Sequence, residues 1–358
     1  MIKNVVIQSF KSLQSVGIDL TPLTLFVGPN GCGKSTVLVA VDSLCRLGRD
    51  PQPHEVFKDA LAVERVCTKP DSREVVLNLK TEQGIALKVT ARPKGQDSKL
   101  ELVRPGRMIW ESVDATNKSV LEELGSFVRL RLDPDKIKKP AIRNGNVARL
   151  EYDGSGLAAT IADLIGSRDD ATVQAIERDL ASIVPACRRL RVIPADVERP
   201  RTDVIRIGEQ AQNFERREIV PGHLVQLEMS GVGWLDADLL SEGTLIVLAL
   251  LTVLHGPARP QLLLLDDIDR GLHPSAQIDL VACLRQLQRL DARLQIIATT
   301  HSPYLLDRMD PSEVRVMGLK AGRSTCKKLT EHPDWEKWKD SIRAGEFWGS
   351  VGEDWVTA

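Results

Sequence analysis

Leu23-Thr24-Leu25-Phe26-Val27 runs directly into Gly28-Pro29-Asn30-Gly31-Cys32-Gly33-Lys34-Ser35-Thr36. The first five residues are apolar and β-rich, and the next eight read GxxxxGK[ST]. Val37, Leu38, Val41, Leu44 and Cys45 then recur at helical spacing. Strand, Gly-rich turn and helix, in that order, are the context in which this motif wraps phosphate. The glycines let backbone N–H groups curl round phosphate oxygens, and the helix N-terminus adds partial positive charge. Asn30, Gly31, Cys32, Gly33, Lys34, Ser35 and Thr36 form the phosphate-binding set in this reading. Lys34 reaches the β- and γ-phosphates, and Ser35 ligates Mg²⁺. Cys32 fills a position that wants a small side chain.

Working outward, Leu262-Leu263-Leu264-Leu265 ends in Asp266-Asp267. Four apolar residues closed by an acid read as a central parallel strand buried on both faces. Ligand chemistry in such sheets sits at the carboxyl ends of strands. Asp266 is the second candidate Mg²⁺ residue, and Asp267 is placed to orient or deprotonate an attacking water. About twenty residues earlier stands Leu240-Ser241-Glu242-Gly243-Thr244. By itself this is a helix N-cap at Ser241, and a helix N-terminus that presents Ser and Gly is also an anion site. Thr299-Thr300-His301-Ser302-Pro303 follows the strand after the acidic one, where a γ-phosphate sensor, His301, would sit.

The remaining organisation fits an α/β sheet. Strands are expected at 5–7, 23–27, 262–265, 295–299 and 314–317. Helices are expected at 34–47, 155–165, 171–183 and 244–254, with one opened by Pro274. Val75–Leu77 and Ile85–Leu87 flank Glu-Gln-Gly as a hairpin, which makes Gln83 a turn residue. Composition is that of an ordinary soluble chain: 358 residues, 42% hydrophobic, 27% charged, net charge −1. Near-neutral charge argues against a polyanion binder as a whole. The N-terminus lacks a signal-peptide pattern and no apolar run is long enough to span a bilayer. Six scattered cysteines without a CxxC pair fit a reducing cytosol, so the expected location is cytoplasmic, without membrane association.

These four elements, in this order, resemble the ABC-type ATPase heads of recombination mediators, structural-maintenance-of-chromosomes proteins and overcoming-lysogenization-defect proteins. Leu240–Leu245, the Gly271-Leu272-His273-Pro274 turn and Thr300–Pro303 are similar, more closely, to the prokaryotic stand-alone "AAA family ATPase" group. The resemblance covers 1–45 and 236–320, and extends more loosely over 120–235. It implies an ABC-ATPase head: a P-loop mixed or parallel sheet, an antiparallel β subdomain and an inserted, mostly helical lobe. The expected segments are 1–105 (P-loop and β subdomain), 106–235 (inserted helical or variable lobe), 236–320 (signature, acidic strand, His switch) and 321–358 (Trp-rich tail). It also implies ATP and Mg²⁺ as ligands and a head-to-tail homodimer, or a higher oligomer, in which Ser241 and Gly243 of one subunit face the γ-phosphate on the other's P-loop. Group members often occur in anti-phage defence operons, which implies a nucleotide-gated switch acting on a separately encoded effector.

Three positions depart from the family pattern. Asp267 stands where Glu is usual. The shorter side chain displaces a water-activating group by roughly 1 Å, which can cost about a hundredfold, so slow hydrolysis and a long-lived ATP-bound state are expected. Asp269 is a second candidate for that role. Ile246 stands where many relatives carry Arg, and the family's Q-loop glutamine has no evident counterpart. Two other readings stay open: a DNA-repair or recombination ATPase gripping duplex DNA, and a scaffold that binds ATP without turning it over. The Arg-rich stretch (Arg188, Arg189, Arg191, Arg199, Arg201, Arg206, Arg216, Arg217) is interleaved with Asp196, Glu198, Asp203, Glu209 and Glu215. It reads as a salt-bridged surface more than a nucleic-acid face, and Phe214 is its one aromatic. The tail, with Trp335, Trp338, Trp348 and Trp355, reads either as a segment packed on its own head or as a docking strip, since Trp is enriched at binding hot spots.

Overall fold

The computed structural model describes residues 1–49, 52–57, 62–68, 74–92, 98–104, 107–110, 124, 126–143, 149–207, 210–257 and 259–358. Two compact units emerge: residues 1–130, 260–269 and 280–358 form the first, and 131–259 with 270–279 form the second.

The first unit holds two six-stranded sheets. One is antiparallel and is built from β1 (Ile2–Phe10), β2 (Leu13–Asp19), β4 (Val75–Thr81), β5 (Ala86–Ala91), β6 (Lys99–Arg104) and β7 (Arg107–Trp110), in the order β2-β1-β4-β5-β6-β7. Its inner face carries alternate apolar residues, such as Val75, Leu77 and Leu79 of β4, all fully buried. The expected 75–87 hairpin is β4–β5, and Gln83 lies exposed in its turn. The other sheet takes β3 (Leu23–Val27), β8 (Phe127–Leu130), β12 (Leu262–Leu265), β13 (Gln295–Thr299), β14 (Val314–Lys320) and β15 (Arg323–Lys328), ordered β15-β14-β3-β13-β12-β8. Every pairing is parallel except β14–β15. All residues of β3, β12 and β13 are buried, as unbroken apolar runs in a covered parallel sheet must be. Helix α1 (Lys34–Arg49) follows β3 directly.

The second unit contains α2 (Leu157–Gly166), α3 (Asp170–Ile183), α4 (Glu242–His255) and a three-stranded sheet, β11-β10-β9. Helix α4 is apolar all round, so it is enclosed. Its last-turn His255 meets the buried carboxylate of Asp179 on α3 at 2.8 Å. The expected architecture holds, with one addition that the sequence reading did not foresee. Strands β9 (Cys187–Ile207) and β10 (Gln210–Met229) form a long antiparallel ribbon, so this lobe is as much strand as helix. Strand β11 (Gly233–Asp236) pairs only with its base. Near the base Gly222 packs against Val197, Ala141 and Ile142. Farther out both faces are exposed, as Arg199, Arg201, Arg216, Arg217 and Ile219 show. Arg217 pairs with Glu198 at 3.2 Å and Arg201 with Glu218 at 3.6 Å, so two of the eight arginines of this stretch form the salt bridges expected there, while Arg188 and Arg191 donate to Ser230 and Gln226. Glu209 and the side chains of Asp203, Arg206, Phe214 and Glu215 lie outside the described residues.

The division also differs from the expected segments. The 105/106 boundary falls outside the described residues. Residues 107–110 stay with the first unit because β7 pairs with β6, and 127–130 stay because β8 pairs with β12. The segment 236–259 belongs to the second unit because α4 packs on α2 and α3. The helices of the first unit also include α6 (Pro303–Leu306) and α7 (Ala344–Val351), after α5 (Pro274–Leu290), whose first residues belong to the second unit and the rest to the first. The Trp-rich tail is packed on its own unit. Phe347 and Trp335 are buried with ring centroids 5.1 Å apart, and His332 meets both Phe347 and Trp355 edge-on at 5.0 Å. Trp338 alone of the four tail tryptophans is exposed, at 48%.

The two halves of this packing are separable by mutation. Phe347→Ala removes a ring that is 1% exposed and should destabilise the first unit by about 3–5 kcal/mol, read as a lower thermal midpoint. Trp338→Ala should leave the midpoint nearly unchanged.

Candidate functional site

The phosphate loop is held open by backbone geometry. Gly28 has φ +142°, and a Cβ there would lie 2.2 Å from the Met317 carbonyl oxygen of β14. Any other residue at 28 would push the loop off the strand beside it. Gly31 and Gly33 also have positive φ (+77° and +103°), so the chain turns tightly into α1. Helix geometry leaves the first N–H groups of α1, from Lys34 onward, without intrahelical acceptors. Asn30, Gly31 and Ser35 are exposed at the tip, Thr36 is half-buried, and Cys32 and Gly33 are buried. Cys32 fills a tight space as expected, and burial pushes its thiol pKa up, so it stays protonated.

Lys34 is buried and its ammonium donates to the carbonyls of Gly28 (2.8 Å) and Pro29 (3.0 Å). Burial lowers its pKa, opposed by Cys32 and by the carboxylates of Asp267, Asp266 and Glu353. Asp266, 3% exposed at the end of β12, accepts from the Ser35 hydroxyl at 2.8 Å and the Thr299 hydroxyl at 2.7 Å. Residues far apart in the chain therefore put a hydroxyl and a carboxylate together at the carboxyl ends of β3 and β12. Hard oxygen donors of this kind suit Mg²⁺, and the N–H-rich turn with its lysine suits a polyphosphate. The residues present fit a nucleoside triphosphate with its divalent cation.

Asp267 is half-buried, with φ +56°. Short acidic side chains tolerate this left-handed conformation better than most non-glycine residues. Its N–H donates to Thr299 Oγ1 at 2.9 Å, so one threonine holds both aspartates. Asp269, the second candidate for activating water, is engaged elsewhere. Its Oδ1 accepts from Thr300 Oγ1 at 2.7 Å and from the His301 N–H at 3.3 Å. Ser302 N–H in turn donates to Thr300 Oγ1 at 3.0 Å. Asp269 thus fixes the loop that presents the exposed His301 ring.

Lys34, Ser35, Asp266, Asp267 and His301 all belong to the first unit, whereas Ser241 and Gly243 belong to the second. Ser241 is exposed and caps α4, accepting from the Thr244 N–H at 3.2 Å. Gly243 is buried. A Cβ on it would lie 2.5 Å from Gly271 O and 3.0 Å from Leu272 Cδ2. The glycine of the signature is therefore required by the Gly271–Pro274 turn seated on it, and Gln277 Nε2 donates to Leu272 O at 2.9 Å to hold that turn. Sequence reasoning missed Thr299 as a partner of both aspartates and Glu353 as a charge near the loop. The paired threonines at the end of β13 were a signal for the first; nothing local marks the second.

Residues 23–307 match the family described as "AAA domain, putative AbiEii toxin, Type IV TA system". Over 71 residues the chain is 45% identical to an OLD nuclease of Thermus scotoductus, a match covering 18% of this chain and 13% of that protein's length. An Smc head solved with the C-winged helix domain of ScpA superposes with TM-score 0.61 at 13% identity, covering 92% of this chain and 99% of that one. The Smc head with extended coiled coil from Pyrococcus furiosus gives 0.59 at 13% identity, covering 95% and 99%. The SMC head domain of Thermotoga maritima gives 0.50 at 14% identity, covering 91% and 98%. At these identities the likeness is one of fold. Among the described residues no helix is long and apolar enough to cross a membrane.

Thr299→Val keeps the shape and removes the hydroxyl that serves both aspartates. The Mg²⁺ concentration needed for half-maximal nucleotide binding should rise by about tenfold or more, as for other partners of metal-binding groups, while circular dichroism stays unchanged.

Proposed function

The chain belongs to the family described as "AAA domain, putative AbiEii toxin, Type IV TA system", and from that premise we propose that it is an ATPase that binds ATP·Mg²⁺ between two head-to-tail subunits and works as a slow nucleotide-gated switch on a separate effector. The contact between Ser35 and the buried Asp266, beside Lys34, carries this reading. Lys34 and the N–H groups of the loop balance phosphate charge, and Ser35 with Asp266 would hold Mg²⁺, which supplies positive charge to the transferring phosphoryl group. Asp267 orients or deprotonates water, and its short side chain supports slow turnover. His301, on its pinned loop, senses the terminal phosphate. Ser241 and Gly243 take that phosphate from the opposite subunit.

The effector role and its setting in bacterial anti-phage defence rest on the resemblance to the stand-alone ATPases of defence operons; the family description names a putative toxin of a Type IV TA system, and the short match is to an OLD nuclease. A duplex-DNA grip is less favoured, because the ribbon arginines 201 and 217 are paired with Glu218 and Glu198.

The first measurement is mass in solution with and without ATP·Mg²⁺, alongside phosphate release. An ATP-dependent dimer with slow release is expected, and Lys34→Ala should abolish the nucleotide effect. Ser241→Asp is the sharper probe. Asp caps a helix as well as Ser, so the fold should hold, yet it places a negative charge toward the partner's terminal phosphate. The variant should bind ATP as a monomer with near-native affinity. ATP-driven dimerisation that survives Ser241→Asp would overturn the sandwich.

A further inference from the structure

The C-terminal turn lies against the phosphate loop. Helix α7 ends at Gly352, which adopts φ +61°, ψ −151°, a region open essentially to glycine alone. The chain reverses there and Glu353 begins a short turn closed by Val356 N–H donating to Glu353 O at 3.0 Å. This turn is fastened to the strands flanking the loop. Lys327 of β15 donates to Trp355 O and Lys320 of β14 to Thr357 O, both at 3.2 Å. A Cβ on Gly318 would lie 2.5 Å from Thr357 Cγ2 and 3.5 Å from Glu353 O. Gly318 follows Met317, whose carbonyl touches the position where Gly28 would carry a side chain. Tail, strand β14 and phosphate loop are therefore in direct succession. Glu353 therefore stands at the start of a turn whose backbone lies against Gly318, one residue beyond the strand position that abuts Gly28 of the phosphate loop.

The position on the sheet says which part of a nucleotide the turn would meet. Asp266 ends β12, which is separated from β3 by β13, while β14 is the neighbour of β3 on the opposite side. A phosphate chain seated on the α1 N-terminus with its terminal group toward Asp266 leaves its nucleoside on the β14 side. Ligands occupy the carboxyl ends of parallel strands, and Met317–Gly318 lie beyond the β14 residues paired with β3. A carboxylate there is an acceptor without donors of its own, suited to ribose hydroxyls or a base amino group.

We propose that the turn Gly352–Trp355 completes the nucleotide site from the C-terminal segment, with Glu353 accepting hydrogen bonds from the nucleoside. This rests on the ATP-binding reading above and adds the residue that distinguishes a nucleotide from bare polyphosphate.

The test is calorimetric titration of the full chain and its Glu353→Ala and Glu353→Gln variants with ATP, 2′-deoxyATP, GTP and inorganic tripolyphosphate, each with Mg²⁺. Glu353→Ala should weaken ATP about tenfold relative to tripolyphosphate, the scale of one hydrogen bond to a charged group. Glu353→Gln, which keeps a carbonyl acceptor, should recover part of the loss. If the ribose 2′-hydroxyl is the donor, 2′-deoxyATP binds the unmodified chain as weakly as ATP binds Glu353→Ala. If the 3′-hydroxyl or the base amino group is the donor, 2′-deoxyATP binds like ATP and loses affinity in the variant; GTP then follows ATP in the first case and departs from it in the second. Unchanged ATP affinity in both variants would overturn the proposal, as would ATP and tripolyphosphate shifting together, which would make Glu353 a charge acting on the phosphates. Lys34→Ala separates the two levels. Should the unmodified chain bind neither ATP nor tripolyphosphate, the ATP-site reading falls and the tail proposal with it. Binding that depends on Lys34 but is indifferent to Glu353 overturns the tail proposal alone.

Discussion

A buried carboxylate organises the first unit. Asp266 is 3% exposed, and an ionised carboxylate in that position is tolerable only with partners. Its partners are hydroxyls from the start of α1 and the end of β13, at 2.8 and 2.7 Å. Satisfying one acid thus fixes the ends of β12 and β13 and the first turn after the phosphate loop. Thr299, having donated to Asp266, accepts from the Asp267 N–H and stabilises the left-handed backbone there. Asp269 then pins the next loop through Thr300 and His301. Three acids in a four-residue span hold three chemically different pieces in register, and each does so with a single oxygen, Oδ1, or a backbone N–H.

The parts of this arrangement legible in the sequence are those whose physics is local. The phosphate loop is contiguous because glycines, lysine and hydroxyl must follow one another along one turn. Leu262–Leu265 announces a doubly covered strand because no residue in it meets water. Ser241 is readable as a cap because capping spans three residues. The features that escaped depend on distant segments. Thr299 matters through a bond to an acid 33 positions away, and Glu353 through the path of a tail around β14. The reason for Gly243 is likewise non-local: the family signature suggests a ligand-facing residue, and the structure adds the backbone of Gly271 pressed onto it.

The β9–β10 ribbon was hidden for a different reason. A strand is read from alternation, which exists because one face is buried and the other wet. Here the described ribbon residues Arg199, Arg201, Arg216, Arg217 and Ile219 are exposed on both faces, so their stretch need not alternate, and Pro194, Pro200 and Pro221 interrupt what pattern there is. Proline is tolerated because, among the described residues, the two strands have no further neighbours along most of their length. The same absence of a third strand leaves Ile219 67% exposed.

That ribbon has a mechanical meaning. Beyond Ala195 and Gly222 it extends roughly 40 Å at ~3.4 Å per residue, and among the described residues its packing contacts lie at its root. There it rests on α2 and α3, the helices that also flank α4. Over a length of that order, a tilt of about 0.1 radian at the root corresponds to a displacement of about 4 Å at the far end, on that same rise per residue. The helix that carries Ser241 at its tip packs on the same two helices as the root of the ribbon, so the signature and the ribbon root share one bearing surface.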